Sequence, residues 1–276
     1  MHGDSVTDIR VRRDRCVSVI VAAVSVFVFS ERCIAEDEAA NQVTNDSARD
    51  EARHRIDLGA LFLDEISSDA FNAIVGYTYS FSSNANISVT VPYVDPNRAT
   101  SGDSGFGDTI VAVSFVPSVK LGANPWVPRT VGSGVAVLAP TGRAEEGRSL
   151  DSWVVAPYLG LVLPLADRIF FAPQLGYVHS LDSTAADTDL RIAFAELGLG
   201  YVSLKGFWTS YFPSFSFDLE SDSWAVNHRL AIGKMFSRNL GLSADYTFIE
   251  RFNFGSDLPG ESGFDQQIEI SFHFAF

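Results

Sequence analysis

The chain is nearly without cysteine: it has two in 276 residues, Cys16 and Cys33, both in the first 35. If that segment is removed on export, disulfides and thiolate catalysis are excluded for the remainder. Basic residues are also scarce, 20 Lys and Arg against 34 Asp and Glu, for a formal charge of −14. That balance excludes nucleic-acid or anionic-surface binding driven by bulk charge. Past residue 35 no stretch approaches the roughly 18 consecutive apolar residues of a membrane helix, so any insertion into a bilayer must use strands. His54, His179, His228 and His273 have no partner at metal-ligand spacing. No phosphate loop, cofactor box or calcium loop is found either, and GSDLPGE at 255–261 lacks the ligand spacing of the last. Neither a cofactor nor a metal is expected.

What is present begins with an export signature. Arg10, Arg12, Arg13 and Arg15 precede an apolar run of 14 residues, Cys16 to Phe29, and a small-residue site follows at Ala35. The run is shorter than the ~20 residues a spanning helix needs, so residues 1–35 read as a secretory signal peptide. Cys33 follows Ser30, Glu31 and Arg32, which is not a lipoprotein pattern. The first 35 residues hold five of the basic and four of the acidic side chains, leaving 15 against 30 and a formal charge of −15. Residues 36–54, EDEAANQVTNDSARDEARH, are polar without apolar periodicity and are expected to form a disordered periplasmic tail.

From Arg55 the texture changes to alternating runs of about ten residues separated by Gly, Asn, Asp, Ser and Pro, the period of strands. In one run Phe71, Ala73, Val75, Tyr77, Tyr79 and Phe81 share a face, with Asn72, Ile74, Gly76, Thr78 and Ser80 on the other. Strands are expected near 55–63, 70–82, 86–94, 105–116, 130–139, 152–163, 169–179, 190–202, 207–219, 224–236, 240–250 and 265–276. Connections 95–104, 140–151, 180–189 and 251–264 are long, whereas 83–85, 164–168, 203–206 and 237–239 are short; 117–129 is a long link on the short side.

An even strand number, short turns on one side and long loops on the other describe an up-and-down transmembrane β-barrel over 55–276. A soluble barrel of twelve strands encloses more volume than its own side chains fill. The expected inner face is small and polar: Asp108, Ala112 and Ser114; Ser210, Ser214, Ser216 and Asp218; Gly241, Ser243, Asp245 and Thr247. The apolar face then points to lipid, and aromatics are expected on that face alone, as a girdle that includes Tyr93, Phe115, Trp153, Phe171, Tyr177, Phe207, Tyr211, Trp224, Tyr246 and Phe272. Acidic residues gather on the long-loop side, while Lys120, Arg129, Arg168, Lys205 and Arg238 mark the short-turn side.

Three stretches, VTVPYVD at 89–95, SGFGDTIVAVSFV at 104–116 and VAVLAPTGR at 135–143, resemble an outer-membrane transporter-like family. That family is named for the meta-pathway of phenol degradation and carries VPY, GxGD and PTG in this order. The resemblance covers about residues 56–276. It implies a barrel of the Gram-negative cell outer membrane, exported through the periplasm, that passes small molecules. On the residues themselves, Gly105 and Gly107 let the chain re-enter the wall with Asp108 as its first lumen residue, and Pro140, Thr141 and Gly142 turn the chain out of its strand.

Candidate sites lie in the lumen. Pairing across the turn at 237–239 sets Arg229 opposite about position 247 and makes Asp245 its diagonal neighbour; pairing 190–202 with 207–219 brings Arg191 near Asp218. Such charges either tie strands together or form a constriction that selects permeants. Glu269 and His273 extend the lining. A second candidate is a lateral seam between 156–164 and 169–177, where a tight turn sets Pro157 against Gly176 and Gly160 against Pro173. Proline and glycine there cost ladder bonds. Either the missing donors face the other neighbouring strand, or the seam is a side exit for apolar solutes. QIEISFHFAF, ending at Phe276, alternates as a last membrane strand, and its final aromatic resembles the signal read by outer-membrane insertion machinery.

The leading function is passive passage of small aromatic or hydrophobic molecules. The alternatives are a lipid-acting enzyme using outward His179 or His228, and a closed structural barrel whose acidic loops bridge to lipopolysaccharide through divalent cations.

Overall fold

The computed structural model describes residues 54–65, 68–82, 84–95, 103–116, 130–144, 149–181, 189–220, 222–237, 239–253 and 264–276. The expected signal peptide, most of the polar tail and the centres of four long connections (96–102, 117–129, 182–188 and 254–263) lie outside the described residues.

Alternation builds thirteen strands: β1 (His54–Glu65), β2 (Ser68–Ser82), β3 (Ala85–Asp95), β4 (Gly105–Phe106), β5 (Thr109–Phe115), β6 (Thr130–Ala139), β7 (Val154–Ala166), β8 (Ile169–Ser180), β9 (Arg191–Val202), β10 (Phe207–Asp218), β11 (Ser223–Ser237), β12 (Leu240–Asn253) and β13 (Phe264–Ala275). Every neighbouring pair is antiparallel. The order runs from β2 through β1, β13 and back down to β5 and β3, and β2 pairs β3, which closes the ring. Two-residue β4 is a spur at the top of β3, so twelve long strands form the wall. Closure leaves no free edge, as a bilayer requires.

The closing seam joins β1 to β13. Arg55 pairs Ala275 and Asp64 pairs Gln266. Beyond the last pair, Phe276 N–H donates to His54 O at 2.8 Å and His54 N–H to Phe276 O at 3.1 Å. The His54 ring stacks on Phe276 at 5.5 Å. The final aromatic is thus held at the closure and exposed on the outer surface.

The outer face is a continuous apolar belt that includes Val75, Tyr77, Phe81, Phe115, Leu159, Leu175, Leu199, Tyr211, Leu230, Ile268, Ile270 and Phe272, all exposed. On a water-soluble protein so large a patch would drive association; in a barrel it is the lipid surface.

The inner face departs from the expected small, polar lining. Tyr158, Phe170, Phe194, Phe212 and Trp208 point inward, so aromatics are not confined to the lipid face. Each ring lies against a glycine on an adjoining strand: Tyr158 on Gly134, Phe170 on Gly200, Phe194 on Gly176, Phe212 on Gly198 and Trp208 on Gly233. A Cβ at any of these glycines would overlap the ring. Glycine thus makes room for a flat aromatic, and the ring covers backbone that glycine leaves bare. With Val154, Val162, Val178, Leu190 and Ile192, these rings (Trp208 aside) form one buried cluster on the lumen side of β7–β10.

Candidate functional site

The lumen has two unlike walls. Beside the apolar cluster in the ring, β11, β12, β13 and β1 carry most of the inward charges. Arg229 pairs Thr247 and Ala231 pairs Asp245, so Asp245 is the diagonal neighbour of Arg229, the register anticipated from sequence. The guanidinium of Arg229 lies 4.5 Å over the Phe212 ring and 4.0 Å from Glu196 Oε1. Both side chains are buried, Glu196 at 3% and Arg229 at 7% exposure. A buried charge persists only when paired, and here a planar cation rests on an aromatic face with a carboxylate at its edge. Glu196 was not anticipated, although a lone acid at an inward position of apolar AFAELGLG could have marked it.

Further around the wall Asp245 stands directly across from Glu269. Ser271 Oγ donates to Glu269 Oε1 at 2.8 Å. Below them, Arg55 Nε donates to Asp57 Oδ2 at 2.9 Å, His273 Nδ1 meets Asp57 Oδ1 at 2.7 Å, and Ser243 Oγ meets His273 Nε2 at 2.9 Å. Glu269 and His273 therefore stand on the inner face of β13. The Ser243–His273–Asp57 order is that of a hydrolytic triad, but an oxyanion needs convergent N–H donors. The amides of β12 are committed to ladders with β11 and β13. The network is a brace across the closing seam, with Asp57 missed because its partner is 216 residues away.

Several expected residues stand elsewhere. Arg191 and Asp218 are on opposite faces: Asp218 pairs Ile192, so Arg191 falls on the outer side and bridges to Asp189 at 3.1 Å and Glu220 at 3.7 Å. A one-residue slip in register exchanges the faces of a strand. Asp108 is buried but not a free lumen charge; its carboxylate accepts from Gly142 N–H at 3.0 Å and Leu150 N–H at 2.8 Å.

Around Asp108 the three sequence motifs meet. Gly107 N–H donates to Pro92 O at 2.9 Å. Thr141 Oγ1 donates to Gly107 O at 3.1 Å and accepts from Thr109 N–H at 2.9 Å. Tyr93 packs edge-on against Phe106 and donates to Ser104 Oγ. VPY, GFGD and PTG are one clasp at the long-loop rim, and it ties the segment around Leu150 to the wall. The motifs are architectural at this level.

In the β7–β8 seam, Tyr158 faces Gly176 and Gly160 faces Gln174, not Pro157 with Gly176 or Gly160 with Pro173. A bulge between Pro164 and Ala166 shifts the register. Among the described residues the ladder lacks pairs between Val155↔His179 and Tyr158↔Gly176, and again between Gly160↔Gln174 and Leu163↔Phe171. Pro157 sits in the first gap and Pro173 in the second. On their other sides Pro157 pairs Val135 and Pro173 pairs Leu197 without interruption. Both interruptions lie in this seam and not toward the outer neighbours.

On the outer face, His228 Nδ1 meets Tyr211 OH at 2.6 Å and its ring stacks on Phe248 at 4.5 Å; His179 stacks on Tyr177. No serine is a hydrogen-bond partner of either among the described residues, which leaves the lipase alternative without a nucleophile pair.

No protein-family model and no curated protein matches the chain. Solved structures do. The barrel is similar to an outer membrane channel from Pseudomonas putida F1, with TM-score 0.61 and 14% identity over 84% of this chain and all of that one. It is also similar to the KdgM porin in complex with disordered oligogalacturonate, at 0.56 and 11% over 80% of this chain and 99% of that one. The NanC porin matches at 0.56 and 13% over 79% of this chain and 98% of that one. At such identities the likeness is one of fold, and the fold is the porin-type outer-membrane barrel.

Proposed function

We propose that the chain is a passive channel of the Gram-negative outer membrane for small molecules that carry an apolar face, the aromatic or hydrophobic class expected from sequence. The observation that carries this is the divided interior: Tyr158, Phe170, Phe194 and Phe212 on one arc of the wall, and Arg229, Asp245, Glu269 and His273 on the arc that adjoins it. A structural barrel has no use for such a division, whereas a selective lumen is built from unlike surfaces. The outward belt supports lipid as the surrounding medium, and Phe276 at the closing seam supports recognition by the insertion machinery. Kinship with the phenol meta-pathway family is supported by the three motifs and by their convergence in one clasp. In liposome swelling, phenol and neutral sugars should enter protein-containing vesicles severalfold faster than protein-free ones. Equal rates for every solute would remove the channel reading and leave the closed barrel.

The broken ladder at Pro157 and Pro173 favours a lateral exit for the most apolar solutes, next to the apolar wall. Leu159 and Leu175 are ladder partners in the seam and face lipid. A disulfide between Leu159→Cys and Leu175→Cys should cut uptake of toluene-like solutes severalfold and spare sugars, with recovery on reduction. Unchanged uptake of the apolar solutes would sink the lateral route.

A further inference from the structure

At mid-lumen a polar arc crosses the boundary between the two walls. Gln174 pairs Glu196, Glu196 pairs Ser214, and Ser214 pairs Asn227, so four successive strands present these side chains inward in one row across the sheet. Gln174 is 1% exposed and Ser214 2%. Neither the amide oxygen nor the amide nitrogen of Gln174 makes a hydrogen bond, nor do Ser214 Oγ and Asn227 Oδ1. Phe194 borders the arc on one side, and on the other lies Phe212 with Arg229 over its ring.

Buried amides and hydroxyls without partners cost about 1–3 kcal/mol each, so a packed wall does not retain several in a row without use. We propose that this arc is the solute-binding step of the lumen and takes neutral, polyhydroxylated molecules of about disaccharide size. The proposal rests on the channel reading and gives the lumen a hydroxylated substrate class beside the apolar one. A solute entering a constriction loses water from each polar group at a cost of roughly 2–7 kcal/mol unless the wall replaces it. Gln174, Ser214 and Asn227 can each donate and accept, which hydroxyls satisfy in both senses, whereas a carboxylate leaves their acceptor oxygens unmet. Glu196 faces Arg229, so an anion entering here meets a carboxylate whose cation is already engaged. A wholly apolar solute would leave the arc unsatisfied. Four strands give three steps of about 4.8 Å, roughly 14 Å of wall, enough for several hydroxyls and more than one aromatic ring needs. The Phe194 and Phe212 rings supply apolar surface for the C–H face of a sugar.

The test is calorimetric titration of sucrose into the folded barrel in a polyoxyethylene detergent, which carries no sugar head group, paired with sucrose block of current in planar bilayers. Sucrose should bind and reduce current, while phenol and gluconate at the same concentration give no binding heat. Gln174→Ala and Asn227→Ala should each weaken sucrose about fivefold; lipid-facing Leu199→Ala should not. Heat-modifiable gel mobility shows that each variant is folded. Absence of sucrose heat on folded protein, unaltered affinity in both variants, or binding of phenol in place of sucrose would overturn the proposal. Calorimetry needs no conduction, so loss of the channel reading, seen as absent current and swelling, is distinguishable from loss of the arc.

Discussion

Arg229→Ala should lower the unfolding temperature of the barrel and shift its ion preference further toward cations. The guanidinium is the cation facing Glu196, at 4.0 Å, and caps the Phe212 ring at 4.5 Å. Its removal leaves a carboxylate that is 3% exposed without that neighbour. Breaking one side of a buried pair costs about 3–5 kcal/mol, because the remaining charge stays desolvated. The lumen is already acidic: between the rims its described side chains include Asp57, Glu196, Asp245 and Glu269 against Arg55 and Arg229, with His273 bonded to Asp57. Taking away one of two arginines therefore shifts the reversal potential in a KCl gradient toward the cation limit. Arg229→Lys restores charge but not the planar stack on Phe212, so it should recover selectivity more fully than stability. If Arg229→Ala leaves both melting and reversal potential at wild-type values, the residue is neither brace nor filter.

Asp108→Ala should loosen the long-loop rim. Two backbone N–H groups, of Gly142 and Leu150, lose a charged acceptor, and hydrogen bonds to charged groups contribute about 1.5–3 kcal/mol each. A combined loss of roughly 3–6 kcal/mol follows, concentrated at the clasp where VPY, GFGD and PTG meet. Segment 140–150 should become cleavable by protease added outside intact cells, and the heat-modified gel transition should fall by several degrees. Asp108→Asn keeps one acceptor oxygen and should retain about half the effect. Wild-type protease resistance in Asp108→Ala would show that the motifs do not hold the rim through this carboxylate.

Both residues were visible as inward polar positions in the sequence, but with unequal success. Arg229↔Thr247 is legible because strand pairing across a short turn follows from counting. Asp108 is legible as inward, yet its partners Gly142 and Leu150 come from a connection whose path alternation does not encode. Arg191 failed for a different reason: a count off by one sends a side chain to the opposite face. The bulge between Pro164 and Ala166 produced a similar error in the seam. Glu196 and Gln174 were passed over because their strands read as apolar, and a buried polar residue in an apolar strand shows its role only beside its neighbours.

Period-two alternation, the punctuation by Gly, Asn, Asp, Ser and Pro, and the absence of a long apolar run determined by themselves a strand-built barrel with an apolar outside. These are local properties: each residue's face follows from its own strand. Tertiary structure alone decided that the inside has two walls, that five inward aromatics lie on glycines from neighbouring strands, that the clasp unites three motifs, and that Glu196 faces Arg229. Each depends on cross-strand register, where one added residue moves every later contact, and on closure, which brings Asp57 against His273 from opposite ends of the chain.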